Sequence, residues 1–269
     1  MTPEPTVLVE NHGPVRQLTL NRPDRRNAFT PAMTELFADL LVDAGRDPSV
    51  RAIVVAGSGD HWSVGADRKR LAELANHPAP PQIPEDIGRW DVPRRIPKPV
   101  IAAIGGNCAG IAMVIALSCD VRFAAADVTF STAYSRLGLV AERGLSWLLT
   151  HTCSPGVAID LLLSSRKVGA DEASRIGLVS EVTEPGRVQG RALEYASELA
   201  GTISPWSMAM IKQQFQRDLQ GSYPEAVRRA MGYTRIALDR AEFRELRGNP
   251  NRRLGLPPPL PSDWTAPES

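Results

Sequence analysis

A chain of 269 residues that is 43% hydrophobic and 23% charged has the make-up of an ordinary globular protein, with room for one large core or two smaller units. Arrays of many domains and disorder along the whole length are excluded. Its 31 basic residues stand against 30 acidic ones for a net charge of +1, and all but Lys69, Lys98, Lys167 and Lys212 of the basic set are arginine, so charge names no nucleic-acid partner.

Val15 to Leu20 alternates, with Leu18 and Leu20 on one face and Gln17 and Thr19 on the other, which predicts a half-buried strand ended by Asn21-Arg22-Pro23-Asp24. Thr30 as N-cap, Pro31 in the first turn and Gly45 at the end bound a helix whose stripe is Met33, Leu36, Phe37, Leu40, Leu41 and Ala44. Short buried strands are predicted over Arg51 to Ala56 and Pro99 to Ile104, each followed by glycines, with a proline-dense surface loop over Asn76 to Pro84 between them. A small-residue helix from Ala109 to Ser118 comes next, then strand-like Asp120 to Ala124 and Val128 to Ser131, then a helix carrying Leu145, Leu148 and Leu149. From Ser204 onward the pattern is helical only: one helix with Met208, Ile211, Phe215 and Leu219 on a stripe, a second over Tyr223 to Asp239, and an extended or disordered tail after Gly248. Strands mixed with helices and then helices alone predict an α/β core over 1–203 and a helical region over 204–269.

Cys108, Cys119 and Cys153 cannot all pair and lie among apolar or small residues, so buried free thiols in a reducing compartment are expected. Met1 to Pro5 has no apolar h-region, and nothing approaches the ~20 apolar residues of a membrane span. A cytoplasmic protein with no membrane partner is the expectation.

Common chemical signatures are missing: there is no GxGxxG after a strand, no phosphate-binding P-loop, no GxSxG elbow, and His12, His61, His77 and His151 have no metal-site spacing. Two places present backbone instead. Ser63-Val64-Gly65-Ala66-Asp67 is a turn leading into a helix near Asp67, and Gly105-Gly106-Asn107-Cys108-Ala109-Gly110-Ile111-Ala112 is a strand-to-helix turn of small residues. At a helix start the first N–H groups lack partners and carry partial positive charge, so two such turns facing one oxygen would make an oxyanion hole. Taken singly, small residues at such a turn more often serve close packing.

In order along the chain, LNRPDRRNAF (Leu20 to Phe29), HWSVGAD (His61 to Asp67), KPVIAAIGGNCAGIAM (Lys98 to Met113), SCD (Ser118 to Asp120), GLVAERG (Gly138 to Gly144) and ADEASRIGLVSEV (Ala170 to Val182) resemble the crotonase, or enoyl-CoA hydratase/isomerase, superfamily. The resemblance implies a crotonase-like spiral of repeated ββα units, a helical C-terminal region that mediates a homotrimer or a dimer of trimers, and an acyl-CoA thioester substrate, with coenzyme A present only as part of that substrate. It also implies oxyanion donors at the Ala66 and Ile111 N–H groups. CoA contacts fall on Ser63, Gly65, Asp67 and Gly110, with Arg25 or Arg26 near the phosphates. The family often has Gly where Ile111 stands, and Ile would narrow the pocket.

The two glutamates of the family's hydratases fall on Val114 and Tyr134, neither a carboxylate, and these with Leu139 are candidates for the acyl pocket. The acid in the right region is Glu142, where enoyl-CoA isomerases of the family carry a lone carboxylate. Leu139, Val140, Ala141 and Leu145 around it predict partial desolvation and a stronger base, with Arg143 as an opposing charge if it lies close. The resemblance therefore favours an isomerase. Its alternatives are a hydratase, a hydrolase or dehalogenase using Glu142, and an inactive acyl-CoA binder; the last draws on Ile111 and on Asp239 to Arg253, where the family's usual pattern is not recognisable. Trp90, Leu145 and Trp147 line an acyl tunnel or belong to the core.

Overall fold

The computed structural model describes residues 4–67, 69, 72 and 89–248. Six strands form a large sheet: Val7–His12 (β1), Val15–Leu20 (β2), Ala52–Gly57 (β3), Val100–Ile104 (β4), Val121–Ala125 (β6) and Glu181–Thr183 (β9), paired in that order. The first pair is an antiparallel hairpin with Val7 opposite Leu20, and every later neighbour is parallel. Asn107–Ala109 (β5), Thr129–Ser131 (β7) and Val168–Gly169 (β8) make a second, smaller sheet. Isolated parallel bridges, Phe29 with Ala66 and Ser63 with Cys108, extend that smaller layer backwards along the chain. Segments after β2, β3, β4 and β6 thus stack in the same order as the strands that precede them, which is the spiral the sequence resemblance implied.

Parallel strands have to be covered on both faces. In β3 and β4, Ile53, Val55, Val100, Ala102 and Ile104 point into the main core, while Ala52, Val54, Ala56, Ile101 and Ala103 pack on the opposite side. That opposite side is closed by the helix Val188–Thr202 through Val188, Ala192, Ala196 and Ala200, whose small side chains let it lie close to the sheet. This corrects the half-buried reading of β2: Gln17 and Thr19 are buried too, with Gln17 Nε2 donating to Thr19 Oγ1 at 3.0 Å.

The described helices are Pro31–Arg46 (α1), Val92–Arg95 (α2), Ile111–Ser118 (α3), Leu145–Thr152 (α4), Pro155–Ser164 (α5), Ala170–Arg175 (α6), Val188–Thr202 (α7), Pro205–Asp218 (α8), Tyr223–Asp239 (α9) and Ala241–Gly248 (α10). Thr30 caps α1 by accepting from Met33 N, and Ser204 caps α8 by accepting from Ser207 N. Gly45 does not end α1. It lies inside the helix, where an added Cβ would come within 3.1 Å of Ile96 Cγ2, and the helix closes one residue later. All eight residues of α3 are buried, as expected of a helix apolar on every side. It starts at Ile111 rather than Ala109 because residues 107–109 are taken up by β5.

The three cysteines are buried and free. The helix expected from Asp67 falls mostly outside the described residues, and the loop over 76–84 and the tail after Gly248 lie wholly outside them. No described helix is long and apolar enough to cross a membrane.

Candidate active site

Pairing in the smaller layer sets the direction of each N–H. Around the Phe29–Ala66 bridge, Phe29 N donates to Gly65 O at 2.7 Å and Asp67 N donates to Phe29 O at 2.9 Å. In a parallel pair the residue between those two contacts points its own N–H the other way, so the Ala66 N–H faces away from Phe29. On that other side lies the second turn: Ser63 N donates to Asn107 O at 3.0 Å, and Ala109 N donates to Ser63 O at 3.1 Å.

Gly65 is where the turns touch. Its φ is +91°, and a Cβ built on it would sit 2.6 Å from Ala109 O and 3.4 Å from Ile111 N, so only glycine permits this approach. Gly110, with φ +57° and ψ −126°, then swings the chain into α3 as its N-cap without a side-chain cap. Among the described residues neither the Ala66 nor the Ile111 N–H has a hydrogen-bond acceptor. The turns that carry these two N–H groups, one of them at the start of a buried helix, thus lie close together.

Ser63, Gly65 and Asp67 are engaged within the fold. Ser63 is buried, its hydroxyl donating to Asn27 O at 2.8 Å and accepting from Gly65 N at 3.1 Å. Asp67 accepts from Arg22 Nη1 at 2.9 Å and from Lys69 N at 2.9 Å. Those bonds hold its carboxyl below the usual carboxylate range, Arg22 being the larger cause. These residues fix the pose of Ala66. Arg25 is a surface side chain, 67% exposed and 3.4 Å from Asp24.

Sequence reasoning missed the two residues that hold this turn from below. Asn27, fully buried at φ +54°, donates through Nδ2 to Ser58 O at 2.9 Å and His61 O at 2.7 Å, and accepts from Arg22 N at 2.7 Å. Arg22 donates both to Ala28 O and to Asp67. An Asn inside a turn, a residue type that tolerates the left-handed region, was the available signal.

The setting of Glu142 departs from expectation. It lies exposed in the segment before α4, and the apolar residues expected to desolvate it are themselves in solvent, Leu139 42% and Val140 81% exposed. Only Leu145 is buried. The cause is local: Arg143 at φ +52° and Gly144 at φ +75° turn the chain at the surface before α4 begins, and Leu145 N closes the turn on Glu142 O at 3.0 Å. The helix that Glu142 introduces packs against α3, the helix that begins at Ile111. Ile111, Val114 and Tyr134 are buried in the main core with Leu145, and Trp90 and Trp147 pack against it partly buried.

The family model described as enoyl-CoA hydratase/isomerase matches residues 10–245. A probable enoyl-CoA hydratase of Rhizobium meliloti is 34% identical over 223 residues, covering 83% of this chain and 86% of that protein. The 1,2-epoxyphenylacetyl-CoA isomerase of Escherichia coli is 30% identical over 236 residues, 86% of this chain and 89% of that one. A solved structure of a putative enoyl-CoA hydratase from Streptomyces coelicolor superimposes with a TM-score of 0.83 at 30% identity, covering 92% of each chain.

Proposed function

The chain belongs to the enoyl-CoA hydratase/isomerase family, and from that membership we propose that it shifts the double bond of a 3-enoyl-CoA to the 2-position by proton transfer through Glu142. The observation that carries this reading is the close approach of Gly65 to the turn of Ala109 to Ile111, which brings together two turns whose Ala66 and Ile111 N–H groups have no acceptor among the described residues. The thioester oxygen sits between them. Glu142 takes the α-proton, the electron pair spreads onto that oxygen as the β–γ double bond moves to α–β, and the same carboxyl returns a proton at the γ-carbon. One oxyanion donor of this kind is worth about 2.7–4 kcal/mol in the transition state.

One carboxylate suffices for this chemistry, and the Escherichia coli relative, a 1,2-epoxyphenylacetyl-CoA isomerase by name, is an isomerase of a different, epoxide-bearing acyl-CoA. Glu142 is exposed in the chain alone, so its cover from water would come from the bound acyl group or a neighbouring copy. Relatives named hydratase support a second reading, addition of water to a 2-enoyl-CoA. Val114 and Tyr134 count against it, since neither supplies the paired carboxylate that would polarise a water. Coenzyme A enters as part of the substrate, with the exposed Arg25, paired to Asp24 at the surface, able to meet its phosphates. Ile211, Phe215, Met231 and Ile236, exposed on α8 and α9, support a homotrimer or pair of trimers built on the helical region.

Initial rates on 3-enoyl-CoA and 2-enoyl-CoA substrates of several lengths test the reading. Isomerisation should exceed hydration; hydration as fast as isomerisation would favour the second reading.

A further inference from the structure

A buried serine far from Ile111 in the chain is tied by its side chain and carbonyl to the strand beside the second turn. Ser165 ends α5 and leads toward β8, 1% exposed, with φ +45° and ψ +32°. A residue with a Cβ is uncommon in that left-handed region, which glycine enters without strain. The N–H of Ser165 donates to Leu161 O at 3.1 Å, a bond that glycine would make equally well. Only the hydroxyl sets serine apart here.

That hydroxyl lies 3.0 Å from Thr132 Oγ1 and 2.7 Å from Ser135 Oγ. Thr132 Oγ1 gives its hydrogen to Leu161 O at 2.8 Å, so it accepts from Ser165, and Ser165 in turn accepts from Ser135. The hydroxyls form one directed chain, Ser135 to Ser165 to Thr132 to Leu161 O, in which each bond polarises the next. From the other side, Ser131 Oγ donates to Ser165 O at 2.9 Å. Ser165 thus anchors the run 131–135 at its start, its middle and its end.

This run meets the second turn. Ala109 pairs with Ser131 across β5 and β7, and Gly110 N donates to Ser131 O at 3.0 Å. Gly110 immediately precedes Ile111, and as an N-cap at φ +57° it has no side-chain bond to fix it. The direction of the Ile111 N–H therefore depends on where Ser131 O stands.

We propose that Ser165 is a positioning residue for the oxyanion site: acting through Ser131 and Gly110, its hydroxyl holds the Ile111 N–H on the thioester oxygen, which accounts for a serine where the backbone favours glycine. This rests on the reading of the Ala66 and Ile111 N–H groups as oxyanion donors, and not on which reaction follows.

Ser165→Gly removes the hydroxyl and relaxes the backbone, whereas Ser165→Ala removes the hydroxyl and keeps the left-handed conformation. With butyryl-CoA isotope-labelled at the thioester carbonyl, the infrared C=O stretch of the bound ligand reads the donors directly. The wild type should lower that frequency relative to free ligand, and both variants should lose much of the shift. On whichever of a 3-enoyl-CoA and a 2-enoyl-CoA the wild type turns over faster, both should lose kcat roughly 10- to 100-fold with KM within about threefold. The melting temperature should fall in Ser165→Ala and stay near wild type in Ser165→Gly. Ser164→Ala removes a neighbouring hydroxyl bonded to Asp160 O and Arg166 N, and should behave as wild type in turnover and C=O frequency. Losses that follow the melting temperature, with Ser165→Gly as active as wild type, are the mark of a structural role and would overturn the proposal. So would equal losses in Ser164→Ala. Absence of any C=O shift in the wild type would instead remove the oxyanion reading, and the inference with it.

Discussion

At the scale of single residues, the site depends on what glycine allows. Gly65 combines a positive φ with an approach to Ala109 O that no side chain fits, whereas Gly105, in the second turn, has nothing within 4 Å of an added Cβ. Gly65→Ala should therefore push the two oxyanion turns apart and lower kcat by about 100-fold or more, the loss typical of one misplaced donor. Gly105→Ala should leave kcat near wild type. Equal effects from the two substitutions, read by steady-state kinetics, would contradict the placement of the donors. Residue identity singled out these backbone positions only together with the family resemblance, because small residues before a helix also serve close packing. It was a poor guide to Glu142. Apolar neighbours in sequence suggested burial, yet Leu139 and Val140 are exposed, since the left-handed pair Arg143 and Gly144 decides which way the segment faces.

At the scale of elements, caps and stripes were legible and long-range covers were not. Thr30, Ser204 and the bounds of α9 followed from local chemistry that acts within a few residues. The role of α7 depends on a sheet assembled from strands far away in the chain, and the small face of Ala192, Ala196 and Ala200 has no meaning until that sheet exists. The docking of α8 is another long-range effect. Lys212 Nζ donates to Pro93 O at 2.7 Å, Lys98 O at 3.0 Å and Asp120 Oδ2 at 2.7 Å, and Asp120 also accepts from Val100 N at 2.7 Å. Lys212→Met keeps the length of the stem but removes all three donors, leaving two carbonyls and a carboxylate without their shared cation. A loss of about 1–2 kcal/mol in chemical denaturation is expected. An unchanged midpoint would mean that α8 is held by its apolar contacts alone.

At the scale of the whole molecule, the spiral turns separate strands into one device. Successive units place Phe29, Ala66, Ser63 and Cys108 side by side in the smaller layer, and this stacking, which sequence motifs implied only through resemblance, is what carries two distant turns to one point. The resemblance pointed to these turns; it did not say that Asn27 and Arg22 brace them, because the far partners of those two side chains lie 31 to 45 residues away. The account as a whole requires that the main-chain donors hold the charge on the thioester oxygen while Glu142 moves the proton, so that removing the carboxyl spares binding. The direct test compares the wild type with Glu142→Gln on a 3-enoyl-CoA, measuring turnover alongside the affinity for a saturated acyl-CoA. The prediction is a fall in kcat of about 10²–10⁴-fold, as for removal of a positioned acid/base, with affinity within about threefold. A Glu142→Gln enzyme that isomerises at the wild-type rate would contradict it.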